Sequence, residues 1–396
     1  MITGLGSSHA QLDSLALKLV DSLKAFLIDE QIPKKTFKDK FMYPHRWYVK
    51  QLLKPTNSDL DSTYIRSLKH KLTLALPVAK KYYGFNYTDL GNSKILRFSP
   101  NNYYYVGFNI GNIILNFGFY PGIRFGAKPG RGNTRMKDLQ LTLIGRRVIT
   151  DVNYQDYSGF YLFNYRDYSA TVPDMNTILI RPDISSFFFG VNTMFVFNYK
   201  KYSLRGSFSF TDIQRKSVGS FMAGLYHSYF LGTSDSSFIP LALRNEFSPE
   251  LRTINRISIY TLGLSAGYGY SFVYKKIILT AAFNIGAGAQ INNYETNDKV
   301  GHALPINASL HLNSKAAIRY DNYRFFVGLM SNYSNNYALS PRLFNTETYT
   351  ARLVLFCGYR FNIKQNGRKV LRTLGLVDYN NPVNKKGPAK KARPSK

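Results

Sequence analysis

Strict two-residue alternation, kept up far longer than a soluble strand needs, is what most limits the folds open to this chain. Between positions 260 and 272, Tyr260, Leu262, Leu264, Ala266, Tyr268, Tyr270 and Phe272 share one face, and Thr261, Gly263, Ser265, Gly267, Gly269 and Ser271 share the other. Successive side chains of a strand point to opposite faces, so the run has one apolar side and one small, polar side. The pattern returns at 277–290, 306–320 and 349–363. Runs of 13 to 15 residues exceed the usual strand of about five or six and cover the roughly 9–11 that a tilted strand needs to cross a bilayer.

The connections point the same way. Short turns (Tyr274-Lys275-Lys276, Tyr320-Asp321-Asn322 and 198–202) contrast with long loops at 121–136, 233–255, 292–304 and 339–347. Short turns at one rim and long loops at the other characterise outer-membrane barrels. Tyrosines at the strand ends suit the membrane interface. No stretch of roughly 18 apolar residues exists, so helical spanning is not expected.

Candidate strands are 93–99, 102–110, 112–120, 138–157, 184–198, 203–212, 217–232, 256–272, 277–291, 305–320, 323–338 and 347–363. The phase change at Gly145-Arg146-Arg147 reads as a bulge within 138–157. Leu72, Leu74, Leu76 and Val78 carry the alternation of one earlier strand. The expected fold is all-β: a transmembrane antiparallel β-barrel of about twelve strands, within roughly 10–14.

Four regions follow. Residues 1–10 read as the remnant of a secretory signal peptide, because Ser7-Ser8-His9-Ala10 precedes Gln11 with small residues where signal peptidase needs them. Residues 11–90 form an N-terminal periplasmic region, opening with a short amphipathic helix on Leu12, Leu15, Leu19, Leu23 and Phe26. A basic, aromatic stretch follows there, with Lys34, Lys35, Lys38, Lys40, Arg46, Trp47 and Lys50. The barrel is expected over 91–363, and 364–396 is a basic periplasmic tail with ten Lys/Arg and one acid, Asp378. Both termini are then expected in the periplasm of a Gram-negative cell.

Charge becomes informative against this background. The chain has 52 Lys+Arg and 23 Asp+Glu, a formal net charge of +29. A disordered basic chain is excluded by 44% hydrophobic and 15% aromatic residues. Nucleic-acid binding is the competing reading of that surplus, but no recognition helix or RNP-like motif appears, and nucleic acid is not the expected partner. Outer-membrane lipid, lipopolysaccharide phosphates, peptidoglycan or another envelope protein are, with Lys385, Lys386, Lys390, Lys391 and Arg393 as the envelope-binding part of the tail.

Alternation also nominates the lumen. If Leu310 and Leu312 face lipid, then Asn307, His311, Asn313, Lys315 and Arg319 face inward, as do Arg352 and Arg360 on the last strand. Arg146, Arg147 and Asp151 are further polar candidates. An Arg/Lys-lined interior favours anionic solutes. About twelve strands lie between the roughly eight that side chains fill and the sixteen that leave a channel, so a filled or narrow lumen is expected.

Catalysis and cofactors find little support. Cys357 is the only cysteine, and no HxH, CxxC or HExxH spacing exists, so neither metal nor cofactor is expected. A hydrolase on a barrel scaffold, the enzymatic alternative, would rest on His302 near Asp298 and Glu295, or on His311 with Ser309. His227 and Ser228 are strand neighbours facing opposite ways. Gly126–Gly132 lacks the Gly-Lys-Ser/Thr ending of a phosphate loop.

Several segments carry a resemblance to a family: Ser99-Pro100-Asn101-Asn102-Tyr103-Tyr104-Tyr105-Val106-Gly107, Arg181-Pro182-Asp183, Asn198-Tyr199-Lys200-Lys201-Tyr202-Ser203, Gln214-Arg215-Lys216-Ser217-Val218-Gly219-Ser220 and Gly267-Tyr268-Gly269-Tyr270. Together, over roughly 60–363, they resemble an uncharacterised domain family of Bacteroidetes-type outer-membrane proteins. The resemblance implies an outer-membrane barrel and supplies no activity, cofactor or catalytic residue. The expected function is a non-enzymatic barrel, either a narrow anion-preferring pore or an envelope-anchoring partner.

Overall fold

The apolar face of each long run is the exposed one. Leu264 is 69% exposed while Thr280, on the small-residue face of the neighbouring strand, is 0% exposed. That inversion of the soluble pattern is what a hydrocarbon surround requires, and backbone polar groups there must be paired within the protein.

The computed structural model describes residues 60–68, 71–102, 104–111, 116–119, 126–168, 178–298, 300–339 and 343–362. All belong to one of two compact units, Lys50–Lys396. The expected signal remnant, N-terminal helix and basic tail lie outside the described residues. In chain order the strands are β1 (Ile65–Ser67), β2 (Lys71–Asp89), β3 (Lys94–Ser99), β4 (Tyr104–Val106), β5 (Phe108–Gly111), β6 (Asn116–Phe119), β7 (Arg135–Ile144), β8 (Val148–Leu162) and β9 (Ile180–Val196). After helix α1 (Leu204–Phe208) come β10 (Asp212–Gln214), β11 (Val218–Thr233), β12 (Ile254–Tyr274), β13 (Ile277–Thr296), β14 (Gly301–Ala303), β15 (Asn307–Asp321), β16 (Phe325–Leu339) and β17 (Phe344–Asn362).

Ten strands form a closed antiparallel ring in the order β17-β16-β15-β13-β12-β11-β9-β8-β3-β2. β2 and β17 complete it in one unbroken register from Phe344↔Asp89 to Asn362↔Lys71. β4 and β5 continue the line of β3 along β2, β6 pairs with β5, and β7 pairs with β8. The first and last barrel residues, Lys71 and Asn362, are register partners, so both ends of the ring lie at one rim. The tight turns 145–147, 275–276 and 322–324 share that rim with the β9–β11 connection, opposite the β8–β9, β11–β12 and β13–β15 connections.

Three expectations change. Gly145-Arg146-Arg147 is not a bulge but the turn of a hairpin, closed by the Gly145 N–H donating to the Val148 carbonyl at 2.8 Å, so 138–157 is two strands. A phase change looks the same on paper whether the chain kinks or reverses. Residues 203–212 are not a wall strand but a short helix and loop. The barrel begins at Lys71 rather than 91, because β2 sustains the alternation across Lys80 and Lys81, whose charges hid it.

Candidate functional site: a lumen filled from both rims

At the short-turn rim, the connection between β9 and β11 folds inward. Ser203 caps α1, its Oγ accepting from the Gly206 N–H at 3.3 Å and donating to Asp212 at 2.8 Å. β10 then pairs with β1, Ile65↔Gln214 to Ser67↔Asp212. Gln214 ties the segment together: its Oε1 accepts from the Ser203 N–H, and its Nε2 donates to the carbonyls of Tyr64, Lys201 and Lys216.

The barrel wall grips this plug through arginines. Arg319 of β15 donates to the Gly206 carbonyl, and Arg360 of β17 donates through Nε to the Phe210 carbonyl at 3.1 Å. Arg146, from the β7–β8 turn, pairs with Asp212. Ser207 meets Thr280 of β13 at 2.5 Å. Phe210 packs its ring 4.9 Å from Phe326 and 4.4 Å from Phe356, with a left-handed backbone at φ 60. Such a conformation is uncommon for a bulky residue and persists only where packing over-determines it. Arg205 on α1 is also buried, and burial lowers its guanidinium to about 10 against the pull of Asp212. Four guanidinium groups (Arg146, Arg205, Arg319, Arg360) thus surround two carboxylates, Asp212 and Asp321.

The opposite rim is closed by apolar packing. The β11–β12 connection carries Phe238, Ile239, Leu243, Phe247 and Leu251 into a cluster with Phe85, Tyr87, Leu96, Phe98, Phe160 and Phe230 on the inner wall. Arg181 holds this loop, donating to the carbonyls of Ser237 (2.6 Å) and Phe238 (3.0 Å) while Asp183 binds its guanidinium. Asp89 receives the Ser248 N–H and Oγ–H at 2.7 and 3.0 Å. The aromatic content of that loop was readable, but nothing in its spacing distinguishes a surface loop from one that folds inward.

Between the two closures lies a polar layer. Asp138 of β7 accepts from Lys81 Nζ at 2.9 Å and from Tyr157 Oη at 2.6 Å. Lys315 bonds Asp151 at 2.8 Å, and Thr142 donates to the same carboxylate at 2.7 Å. His311 is buried, its ring stacked 4.5 Å from Tyr226 and its Nδ1 2.8 Å from the Asn336 amide. Gly263 and Gly286 make room for that Tyr226 ring: a Cβ on either would strike it.

The sequence-nominated residues therefore divide into groups. Arg146, Arg319 and Arg360 hold the plug, and Asp151 and Lys315 pair with each other. Asn307, His311 and Asn313 line β15 between them, each with one buried polar atom lacking a partner. Arg352 lies beside a cavity of about 80 Å³ in the polar layer. Arg147 sits in the hairpin turn against Tyr199, 2.5 Å from its hydroxyl. The five tail residues, Lys385, Lys386, Lys390, Lys391 and Arg393, lie outside the described residues.

The histidines weighed for catalysis are occupied with packing. Ser309 bonds Tyr226 at 2.9 Å rather than His311, His302 stacks on Tyr294, and His227 sits on the lipid face between Phe189 and Tyr260. Among the described residues, no group of three or more His, Cys, Asp or Glu is placed to hold a metal ion.

A family model described as a domain of unknown function (DUF4421) matches residues 59–361. Among curated proteins, no sequence matches this chain. Among solved structures, the toluene transporter TodX of Pseudomonas putida is 7% identical, with 79% of this chain and 93% of that chain covered at a TM-score of 0.23. CdiB of Acinetobacter baumannii is 9% identical (70% and 60% covered, TM-score 0.24), and the translocator domain of the autotransporter NalP of Neisseria meningitidis is 11% identical (81% and 98%, TM-score 0.23). At these scores the likenesses carry no argument, and the barrel rests on its own strand pairing.

Proposed function

The chain belongs to the DUF4421 family, and from the filling of its lumen we propose that it is an outer-membrane β-barrel without enzymatic activity, closed at rest, that serves as an envelope-anchoring or assembly partner. One observation carries the reading: Arg319 and Arg360, both about 1% exposed, each donate to the backbone of an inward-folded plug while sharing Asp321 of the wall. Charged side chains buried this deeply are held by specific partners, and here the partners are Asp321 and the plug backbone. The lipid-facing band of Leu262, Leu264, Leu279, Phe283, Ile285 and Leu355 supports the membrane location. Lys71 and Asn362 at one rim support placing both termini in the periplasm, where the basic tail meets anionic lipid or peptidoglycan carboxylates.

A narrow anion-preferring pore is the second reading, favoured by the excess of guanidinium over carboxylate groups around the plug. It requires residues 204–212 to leave the lumen. Planar-bilayer recordings separate the two. The full-length protein is expected to show no conductance, and a variant with 204–212 replaced by a Gly/Ser linker is expected to show steps preferring anions. Steady conductance by the unaltered chain would overturn the closed-barrel reading.

A further inference from the structure

The outer wall carries its charge on one side. On β12 and β13 the lipid-facing rows are uncharged from Tyr274 to Ser258 and from Ile277 to Asn293. The first charges beyond them, Arg256 and Glu295, form a pair at 3.6 Å. On β2, the exposed row of Leu74, Leu76 and Val78 instead runs into Lys80 and then Tyr82. On β7, Leu141 and Leu139 give way to Lys137 and Arg135 in the same row. A lysine on the lipid face is unfavourable in hydrocarbon and tolerated at the interface. At about 3.3 Å per residue and a tilt of about 40°, Lys80 stands roughly 23 Å above Lys71, near the top of an apolar band about 25 Å tall. Its ammonium donates to the Tyr104 hydroxyl at 3.3 Å and lies 4.7 and 5.3 Å from the ring centres of Tyr104 and Tyr82. Among the described residues, no carboxylate pairs with it.

The connection before β7 adds to this face because it lies flat on the outside of the wall. Asn101 clamps it, donating through Nδ2 to the carbonyls of Lys128 and Gly132 and accepting at Oδ1 from the Lys128 N–H, each at 3.0 Å. A Cβ on Gly126 would strike Tyr104, and one on Gly132 would strike Ile180 of the exposed row. Arg131 donates to the Tyr161 hydroxyl at 2.8 Å, its guanidinium 4.9 Å from that ring centre. The Lys81–Asp138 and Tyr105–Met136 bonds hold β7 beside β2 and β4. Lys80, Lys128, Arg131, Arg135 and Lys137 thus share one sector. Among the described residues, the acid facing them is Asp156, 3.8 Å from Lys137. Glu347, on the outer row of β17, is taken up by the amides of Asn86 and Asn335.

We infer that this sector binds the phosphorylated headgroup of an outer-leaflet glycolipid, the lipid A part of lipopolysaccharide. The assignment rests on the outer-membrane reading, which puts the long-loop rim in the outer leaflet. Ammonium and guanidinium groups donate to phosphate oxygens, and Tyr82, Tyr104 and Tyr161 stand at the level where tyrosines meet headgroups. Acyl chains then run along Leu74, Leu76 and Val78 below Lys80, and along Leu139 and Leu141 below Lys137. Cations spread over β2, the clamped connection and β7 suit a bisphosphorylated sugar better than the single phosphate of a phospholipid.

The experiment is native mass spectrometry of the full-length protein in detergent, titrated with bisphosphorylated lipid A, the same lipid stripped of phosphate, and phosphatidylglycerol. Lipid A is expected to bind saturably and the other two about tenfold more weakly. Lys80→Gln is expected to weaken lipid A binding about fivefold, and Arg131→Gln combined with Arg135→Gln about tenfold or more. Lys276→Gln, in a turn at the opposite rim, should leave it unchanged. The double variant alters partly or fully exposed side chains, so it carries the test if Lys80→Gln does not fold. Heat-modifiable mobility after insertion into vesicles free of lipopolysaccharide separates the two levels of the argument. A chain that does not insert overturns the outer-membrane reading and the site with it. One that inserts but binds lipid A no better than phosphatidylglycerol, or whose folded variants bind undiminished, overturns the site alone.

Discussion

Arg360 and Asp321 meet as a two-pronged pair, Nη1 to Oδ1 and Nη2 to Oδ2 both at 2.8 Å, with side chains 0% and 1% exposed. Asp321 also lies 3.2 Å from Arg319, so one carboxylate steadies both arginines that hold the plug. Removing one partner of a buried pair leaves an uncompensated charge and costs about 3–5 kcal/mol. Asp321→Asn is therefore expected to destabilise the barrel by about that much, read as a lower urea midpoint for unfolding from lipid vesicles. Arg360→Lys should not spare it, because a point charge cannot make the parallel bonds. An unchanged midpoint in Asp321→Asn would remove the pair from the account of what fixes the plug.

How much of this was legible in the sequence depends on whether a residue's partners are local. The lipid-facing rows of β12, β13, β15 and β17 follow from alternation alone, since every second residue meets the same solvent. The hairpin at 145–147 was misread because periodicity records a phase change and not a reversal of direction. The plug was misread more deeply. Ser203 and Asp212 read as the ends of a wall strand and Gln214 as part of a family-like segment, until Arg146, Arg319 and Tyr64 approach from far along the chain. Similarly, Arg181-Pro182-Asp183 stood out as a family-like motif with no assignable role. In the fold it clamps the 234–238 loop.

Gly263 and Gly286 flank the Tyr226 ring on adjacent strands, so a side chain at either must displace it. Gly263→Val is expected to cost about 1–3 kcal/mol by overpacking and to disturb the stacking of Tyr226 on His311. Combining it with Tyr226→Ala should recover part of that loss, since the clash is then gone. Urea titration of the two single variants and the double variant measures the coupling, and strictly additive losses would contradict the steric account.

Lipid contact is testable at Leu264 and Cys357. Leu264 lies on the outer face near the middle of β12, so Leu264→Arg is expected to cost about 2–4 kcal/mol on transfer to bilayers. Cys357 is exposed on β17 beside lipid-facing Leu355 and Tyr359. In vesicles it should react with an apolar maleimide and resist a charged one, and unfolding in urea should abolish the difference. Equal labelling by both reagents in intact vesicles would place this face of β17 in water.

The tail offers the last test, because it separates charge from fold. Residues 380–396 hold Lys385, Lys386, Lys390, Lys391, Arg393 and Lys396 and no acid, and all follow the closing strand β17. Deleting them is expected to leave heat-modifiable mobility intact while weakening sedimentation with peptidoglycan or with vesicles rich in anionic lipid. Each exposed cation near such a surface contributes about 1 kcal/mol, and screening confines the effect to low salt. Raising the salt should therefore bring the full-length protein down to the level of the truncated one. If the two sediment equally at low salt, the surplus charge of the tail has no part in holding the barrel to the envelope.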